Sequence, residues 1–303
     1  MHCTEVEMTN EMKVVRTISE LQKLIDRNGR SGCTVGFVPT MGFLHDGHLS
    51  LVEHARRQND IVVMSIFVNP AQFGPGEDFD AYPRDAARDA SLAKEAGVDI
   101  LFMPSSEEMY PQDGGIRILP GSQANTLCGA SRPGHFDGVL KVVLKLFNIV
   151  DPDRSYFGMK DAQQLAIIET FVRDFNLRTL IVRVPIVRDQ DGLAKSSRNV
   201  KLTMTERAQA PVIRKALEKS VSLFNEGVPY NEIERVTEAY IVNNSSGVVD
   251  YVSLLSYPSL TEYNLSTDEA ILACAVKFGN TRLIDNIIMS TKDGYHVQND
   301  DEQ

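Results

Sequence analysis

The sequence predicts an α/β protein: a doubly wound parallel sheet followed by a second, smaller α+β domain. Three observations carry this reading. "CTVGFVP" (33–39) and "DIVVMSIFVNP" (60–70) are almost continuously apolar, as strands covered on both faces of a parallel sheet are. Between them, "HLSLVEHARRQN" (48–59) sets Leu49, Val52 and Ala55 at helical spacing. The alternation of strand and helix with short joints then continues, which is the doubly wound signature.

The elements follow in order. Residues 18–28 read as a short helix. "RDAARDASLAKEAG" (84–97) reads as a helix closed by Gly97, and "VDILFMP" (98–104) as a third strand. "HFDGVLKVVLKLFNIVDP" (135–152) is largely helix, and "RSYFGMK" (154–160) a short strand running into a loop. "DAQQLAIIETFVRDFN" (161–176) is a helix and "RTLIVRVPIVR" (178–188) a further strand. After "RDQDGLAKSSRN" the texture changes. Two amphipathic stretches, 203–227 and 230–244, precede strand-like runs at 248–260 and 269–289. The expected domains are therefore 1–189 and 190–303. The first fifteen residues are expected to form a loose arm, and 291–303 a frayed end.

Composition narrows the function. The chain has 303 residues, 43% of them hydrophobic and 24% charged, which is ordinary for a soluble globular protein. No apolar run approaches the ~18 residues of a membrane span, so no membrane partner is expected. The formal net charge is −10 and no basic stripe is present, which disfavours a general nucleic-acid binder. A phosphate-bearing small ligand needs only a few local cations. Cys3, Cys33, Cys128 and Cys274 show no paired spacing, which argues against a zinc site or a disulfide framework. With no export signal visible, reduced thiols in the cytoplasm are expected.

"PTMGFLHDGHLSL" (39–51) is the stretch richest in chemistry. It lies where a strand ends and a helix begins, at the carboxyl edge where doubly wound sheets bind ligands. A helix N-terminus offers free N–H groups and the positive end of a dipole, hence an anion site. His45 and His48, three apart, can face one side and donate ring N–H groups to phosphate oxygens. No GKS or GKT follows, so this is not a Walker A loop, and it is not the zinc pattern HExxH.

"PTMGFLHDGH" resembles the HxGH signature of the nucleotidylyltransferase and class I aminoacyl-tRNA synthetase superfamily. "SIFVNPAQFG", "DFDAYPRD", "RPGHFDGV", "YFGMKDAQQL" and "GLAKSSRN", in this order and spacing, closely resemble the pantoate–β-alanine ligase family, over about residues 13–290. The resemblance implies a Rossmann-like nucleotide- and pantoate-binding domain with a C-terminal lid. It also implies an enzyme that is homodimeric through its N-terminal domain. The implied reaction joins pantoate to β-alanine with ATP and Mg²⁺, through a pantoyl adenylate, releasing pyrophosphate and AMP. The nucleophiles come from the substrates, so no nucleophilic side chain is required. The protein has to hold anionic partners together and stabilise phosphate charge.

By this resemblance Met41, Gly42, Phe43, Leu44, His45, Asp46, Gly47 and His48 form the ATP loop, with His48 as proton donor and His45 as its phosphate-binding partner. Gly158, Met159, Lys160 and Asp161 form an ATP-binding turn in which Lys160 neutralises the α-phosphate. Lys195, Ser196, Ser197 and Arg198 form a flexible phosphate loop, and Val187 touches adenine through its backbone. Gln72 and Gln164 match pantoate-binding glutamines, since an amide serves both a hydroxyl and a carboxylate. Arg132 is expected to reach a phosphate or carboxylate, His135 to be structural, and Asp89 to hold magnesium. The catalytic set is His45, His48, Lys160 and Arg198. Two positions depart from the family: Lys195 stands where many relatives carry Met, and Cys128 where an acidic residue is common. A nucleotidylyltransferase that stops at AMP transfer, a non-catalytic nucleotide module and a tRNA synthetase are the competing readings. Gln72 with Gln164 argues against the first, and the joint presence of His48, Lys160, Ser196, Ser197 and Arg198 against the second. Size and acidity, with no anticodon-binding appendage, argue against the third.

Overall fold

The computed structural model describes residues 11–28, 32–112, 115–264 and 266–290. The helices and strands run β1 (Lys13–Val15), α1 (Ile18–Asn28), β2 (Val35–Thr40), α2 (Asp46–Gln58), β3 (Ile61–Ile66), α3 (Ala86–Glu95), β4 (Ile100–Phe102), α4 (Ser106–Met109), α5 (Leu127–Ser131) and α6 (His135–Val150). They continue with β5 (Arg154–Gly158), α7 (Ala162–Asp174), β6 (Leu180–Val184), α8 (Met204–Gln209), α9 (Val212–Asn225), α10 (Tyr230–Asn244), β7 (Val248–Tyr257), β8 (Glu269–Phe278) and β9 (Thr281–Ser290). The chain divides into two compact units: Met1–Pro120 with Arg132–Gly158 and Ile168–Val184, and Gly121–Ser131 with Met159–Ile167 and Pro185–Gln303.

The first unit is built on a six-stranded sheet of order β1-β4-β3-β2-β5-β6 whose paired strands all run parallel. The chain steps outward from β2 through β3 to β4, then returns to the other side of β2 with β5 and β6. The switch in direction therefore lies between β2 and β5, where open α/β sheets hold ligands at their carboxyl ends. The middle strands are buried on both faces, which is why they are apolar at nearly every position. Val38, Val62, Met64 and Leu101 pack with Leu51, Val52 and Ala55 of α2 and Ala93 of α3 into one cluster. Each of the Val, Leu and Met side chains contributes roughly 1.5–3 kcal/mol through burial. The expected loose arm is corrected here. Lys13–Val15 is an edge strand paired with Ile100–Phe102, while residues 1–10 lie outside the described residues, as does the expected frayed end at 291–303.

The second unit carries the antiparallel sheet β7-β8-β9. β8 is apolar from Ala270 to Val276 because both its faces are covered. Ala270, Leu272, Cys274, Val276 and Phe278 pack with Ile213, Leu217, Ile233 and Ile241 of α9 and α10. Ile271 and Ala273 pack with Leu127, Ala162 and Ala166. That second face explains the difference from a single boundary near residue 190. α5 and the start of α7 are drawn into this unit to cover the sheet. Cys128 and Cys274 are free thiols, whereas Cys33 is disulfide-bonded, so the expectation of reduced thiols does not hold at Cys33. Among the described residues no helix is long and apolar enough to cross a membrane.

Candidate active site

In the first unit, β2 ends at Thr40, whose hydroxyl donates to the Ser65 carbonyl (2.8 Å) and accepts from the Gly42 N–H (3.2 Å). The chain turns sharply at Gly42, with φ of 85°, and a Cβ there would stand 2.8 Å from the Ile66 side chain. Glycine is therefore required by both conformation and space. The N–H groups of Phe43 (2.7 Å) and Leu44 (2.8 Å) then donate to the two oxygens of Asp89, which is 1% exposed. Both oxygens of Asp89, the residue expected to hold magnesium, accept from the backbone of the loop, and Arg88 stands 3.6 Å from it.

His45 caps α2. Its Nδ1 accepts from the Gly47 N–H (3.1 Å), and the His48 Nδ1 accepts from the His45 N–H (3.4 Å). The rings stack with centroids 4.0 Å apart. A ring nitrogen that accepts cannot carry a proton, so the cap selects the neutral tautomer with the proton on Nε2 in both rings. Capping and donor chemistry thus use opposite ring nitrogens. His45 and His48 are organised as a pair of Nε2–H donors at a helix N-terminus.

Gln72 ends the short 3₁₀ turn Pro70–Gln72 and is 8% exposed. Its Oε1 accepts from Asn69 Nδ2 (3.0 Å), and its Nε2 donates to the Met41 sulfur (3.2 Å). Asn69, 1% exposed, also donates to the Gly138 carbonyl and accepts from the Tyr110 hydroxyl. Burial pushes the Tyr110 hydroxyl up to about 12, so it stays protonated and donates. Asn69 thereby fixes which way the Gln72 amide faces. A thioether is a weak acceptor, so this Nε2 group can exchange it for a stronger oxygen acceptor. Arg132, expected to reach a phosphate or carboxylate, pairs with Glu77. Its fork grips both carboxylate oxygens of Glu77, and the resulting hydrogen bonds hold that carboxyl below the usual carboxylate range. Arg132 and His135 together close on the Gln72 carbonyl, so both support the turn.

The second unit carries the remaining candidates. Met159–Asp161 form a 3₁₀ turn directly before α7. Lys160 is half-buried and Asp161 exposed. Gln163 is consumed structurally, by the carbonyls of Gln123 and Thr126 and the Cys128 N–H. Its neighbour Gln164 is the half-buried one of the two. The Val187 carbonyl accepts from the Lys195 N–H (2.9 Å). Lys195 pairs with Asp189 (2.6 Å), which also binds Arg207 (3.0 Å). Ser197 is buried, the Ser196 hydroxyl accepts from the Arg198 N–H (3.2 Å), and Arg198 opens a short 3₁₀ turn.

Asn69, Glu77, Arg188, Asp285 and Asn286 were not singled out from the sequence. Asn69 alone had a usable signal, its place in "FVNPAQFG", where Asn before Pro caps a turn.

A parallel α/β sheet with a loop of N–H and imidazole donors at its switch point defines the nucleotide-binding HxGH class. The comparisons with known proteins place it further. The family model described as pantoate-beta-alanine ligase matches residues 13–288. The chain is 56% identical to a pantothenate synthetase of Lysinibacillus sphaericus over 283 residues, 93% of this chain and 100% of that protein. It is 51% identical to the Bacillus subtilis pantothenate synthetase, covering 93% of this chain and 99% of that one. The crystal structure of pantothenate synthetase from Thermus thermophilus superposes with a TM-score of 0.85 at 45% identity, covering 91% and 98%. A Francisella tularensis pantoate-beta-alanine ligase, solved with beta-gamma ATP and beta-alanine, superposes at 0.76 with 36% identity, covering 91% and 97%. The chain belongs to the pantoate–β-alanine ligase family.

Proposed function

We propose that the chain condenses pantoate with β-alanine to pantothenate in two steps on ATP. The pantoate carboxylate attacks the α-phosphate, forming pantoyl adenylate and releasing pyrophosphate. The β-alanine amine then attacks the acyl carbon and AMP leaves. His45 and His48 donate Nε2–H groups to the phosphates as pyrophosphate gathers charge. Lys160 neutralises the α-phosphate. Ser196, Ser197 and Arg198 supply hydroxyl, N–H and guanidinium donors, with Lys195 held beside them by Asp189. Val187 meets adenine, and Gln72 and Gln164 bind pantoate. The observation that carries this reading is the match of the family over residues 13–288, which takes in every one of these positions.

Magnesium is proposed to arrive on the nucleotide. Among the described residues no group of three His, Cys, Asp or Glu side chains is placed to hold an ion, and Asp89 is spent on the backbone. Mg²⁺ commonly binds through phosphates and water with few protein ligands. A homodimer and a cytoplasmic setting are proposed on the resemblance alone. The test of the reaction is exchange of labelled pyrophosphate into ATP. It is expected to require pantoate and not β-alanine; exchange that ignores pantoate overturns the adenylate route.

A further inference from the structure

We infer that Asn286 is a positioning residue for ATP: its amide sets the orientation of the turn bearing Lys160, and the Arg188–Asp285 pair ties that turn to the segment bearing Val187. Asn286 lies in β9 and is 5% exposed. Its Nδ2 donates to the Met159 carbonyl (3.0 Å) and to the Lys160 carbonyl (3.0 Å). Two consecutive carbonyls drawn to one amide fix two successive peptide planes. In a helical turn the N–H groups point opposite to the carbonyls, so this clamp aims the free N–H groups ahead of α7. The same end carries the positive pole of the helix dipole. Lys160 sits between the two clamped carbonyls and forms no ion pair among the described residues.

The clamp is itself held. Asp285, 4% exposed, grips Arg188 through both oxygens (2.7 and 3.0 Å) and accepts the Asn286 N–H (2.8 Å). Arg188 follows Val187 in sequence and also donates to the Gly192 carbonyl (3.1 Å). A hydrogen-bonded chain therefore runs from the Val187 segment through Arg188, Asp285 and Asn286 to Lys160. A buried ion pair is a costly way to gain stability, because desolvation offsets much of its attraction. Its yield here is geometric: one amide held in one orientation against one turn.

The inference rests on the assignment of the Lys160 turn to ATP, so the experiment includes Lys160→Ala as a reference. Asn286→Asp keeps the shape of the side chain and removes both donors; Asn286→Ser keeps a single donor and carries the test if the first variant does not fold. Steady-state kinetics are measured per folded molecule, the folded fraction being set by thermal unfolding. The KM for ATP is expected to rise about tenfold or more in Asn286→Asp, by the loss of two buried hydrogen bonds, and by less in Asn286→Ser. The KM for pantoate is expected to stay within about twofold, since one displaced turn does not alter uniform binding elsewhere. ATP kinetics unchanged in the folded Asn286 variants, with Lys160→Ala impaired, overturn the clamp. ATP kinetics unchanged in Lys160→Ala overturn the assignment of the turn, and the inference with it.

Discussion

Asp89 accepts the backbone N–H of Leu44 at 2.8 Å while 1% exposed, and its second oxygen takes the N–H of Phe43. Helix α3 thereby pins the loop that leaves β2. Asp89→Asn turns an NH₂ group against one of these donors. It is expected to lower stability by about 1–3 kcal/mol and to raise the KM for ATP. The magnesium concentration giving half-maximal rate is expected to stay where it is in the wild type. A large shift in the magnesium requirement, with stability unchanged, contradicts this role.

The two histidines divide their nitrogens between cap and donor. An Asn side chain reaches about as far as Nδ1, so His48→Asn keeps an acceptor for the His45 N–H and loses the Nε2–H group. Thermal stability is expected to be near that of the wild type, with kcat down by about 100-fold, the usual cost of one preorganised donor. Single-turnover formation of the adenylate measures it. A loss of less than a few fold removes His48 from the phosphate site.

Gly138 in α6 passes so close to the Pro70–Gln72 turn that a Cβ would stand 2.1 Å from the Ala71 carbonyl oxygen. Gly138→Ala has to push that turn away, at a cost of about 1–3 kcal/mol. Because Gln72 rides on the turn, the KM for pantoate is expected to rise more than the KM for ATP. Kinetics with each substrate varied in turn separate the two, and an equal effect on both contradicts the pantoate assignment of Gln72.

Glu77 titrates below its usual value of 4.5 in the folded protein, chiefly through its hydrogen bonds from Arg132. A depressed carboxylate contributes stability that is present above 4.5 and lost as pH falls through the lower, folded value. Denaturant unfolding of Glu77→Gln against wild type is expected to show the largest deficit near neutrality, shrinking below pH 4.5. A deficit that is flat across the acid range shows that the pair contributes nothing through its charge.

What was legible in the sequence was local. The apolar runs of β2 and β3, the helical spacing of α2 and the HxGH turn each declare themselves within a dozen residues. Lys13–Val15 did not, because a three-residue edge strand has no periodicity and its partner β4 is distant in the chain. The division into units was blurred for a similar reason: α5 and the start of α7 join the second unit only through the far face of β8. In the site, the motif residues were easier to recognise than the residues that hold them. Asp89 and Arg132 looked like ligand contacts because they are charged and sit in site motifs. In the structure the Asp89 oxygens accept backbone N–H groups and Arg132 pairs with Glu77, partners distant in the chain that leave no local signal. Asn286 carried little signal, since an isolated Asn is most often a turn or surface residue.

The proposed reaction requires pantoate to be activated by ATP before β-alanine takes part. Rapid-quench measurement of pyrophosphate and AMP, with ATP and pantoate present and β-alanine withheld, tests this most directly. The predicted result is a burst of pyrophosphate near one equivalent per active site, with AMP appearing only when β-alanine is added. AMP released at the full rate without β-alanine, or pyrophosphate formed from ATP and β-alanine without pantoate, contradicts it.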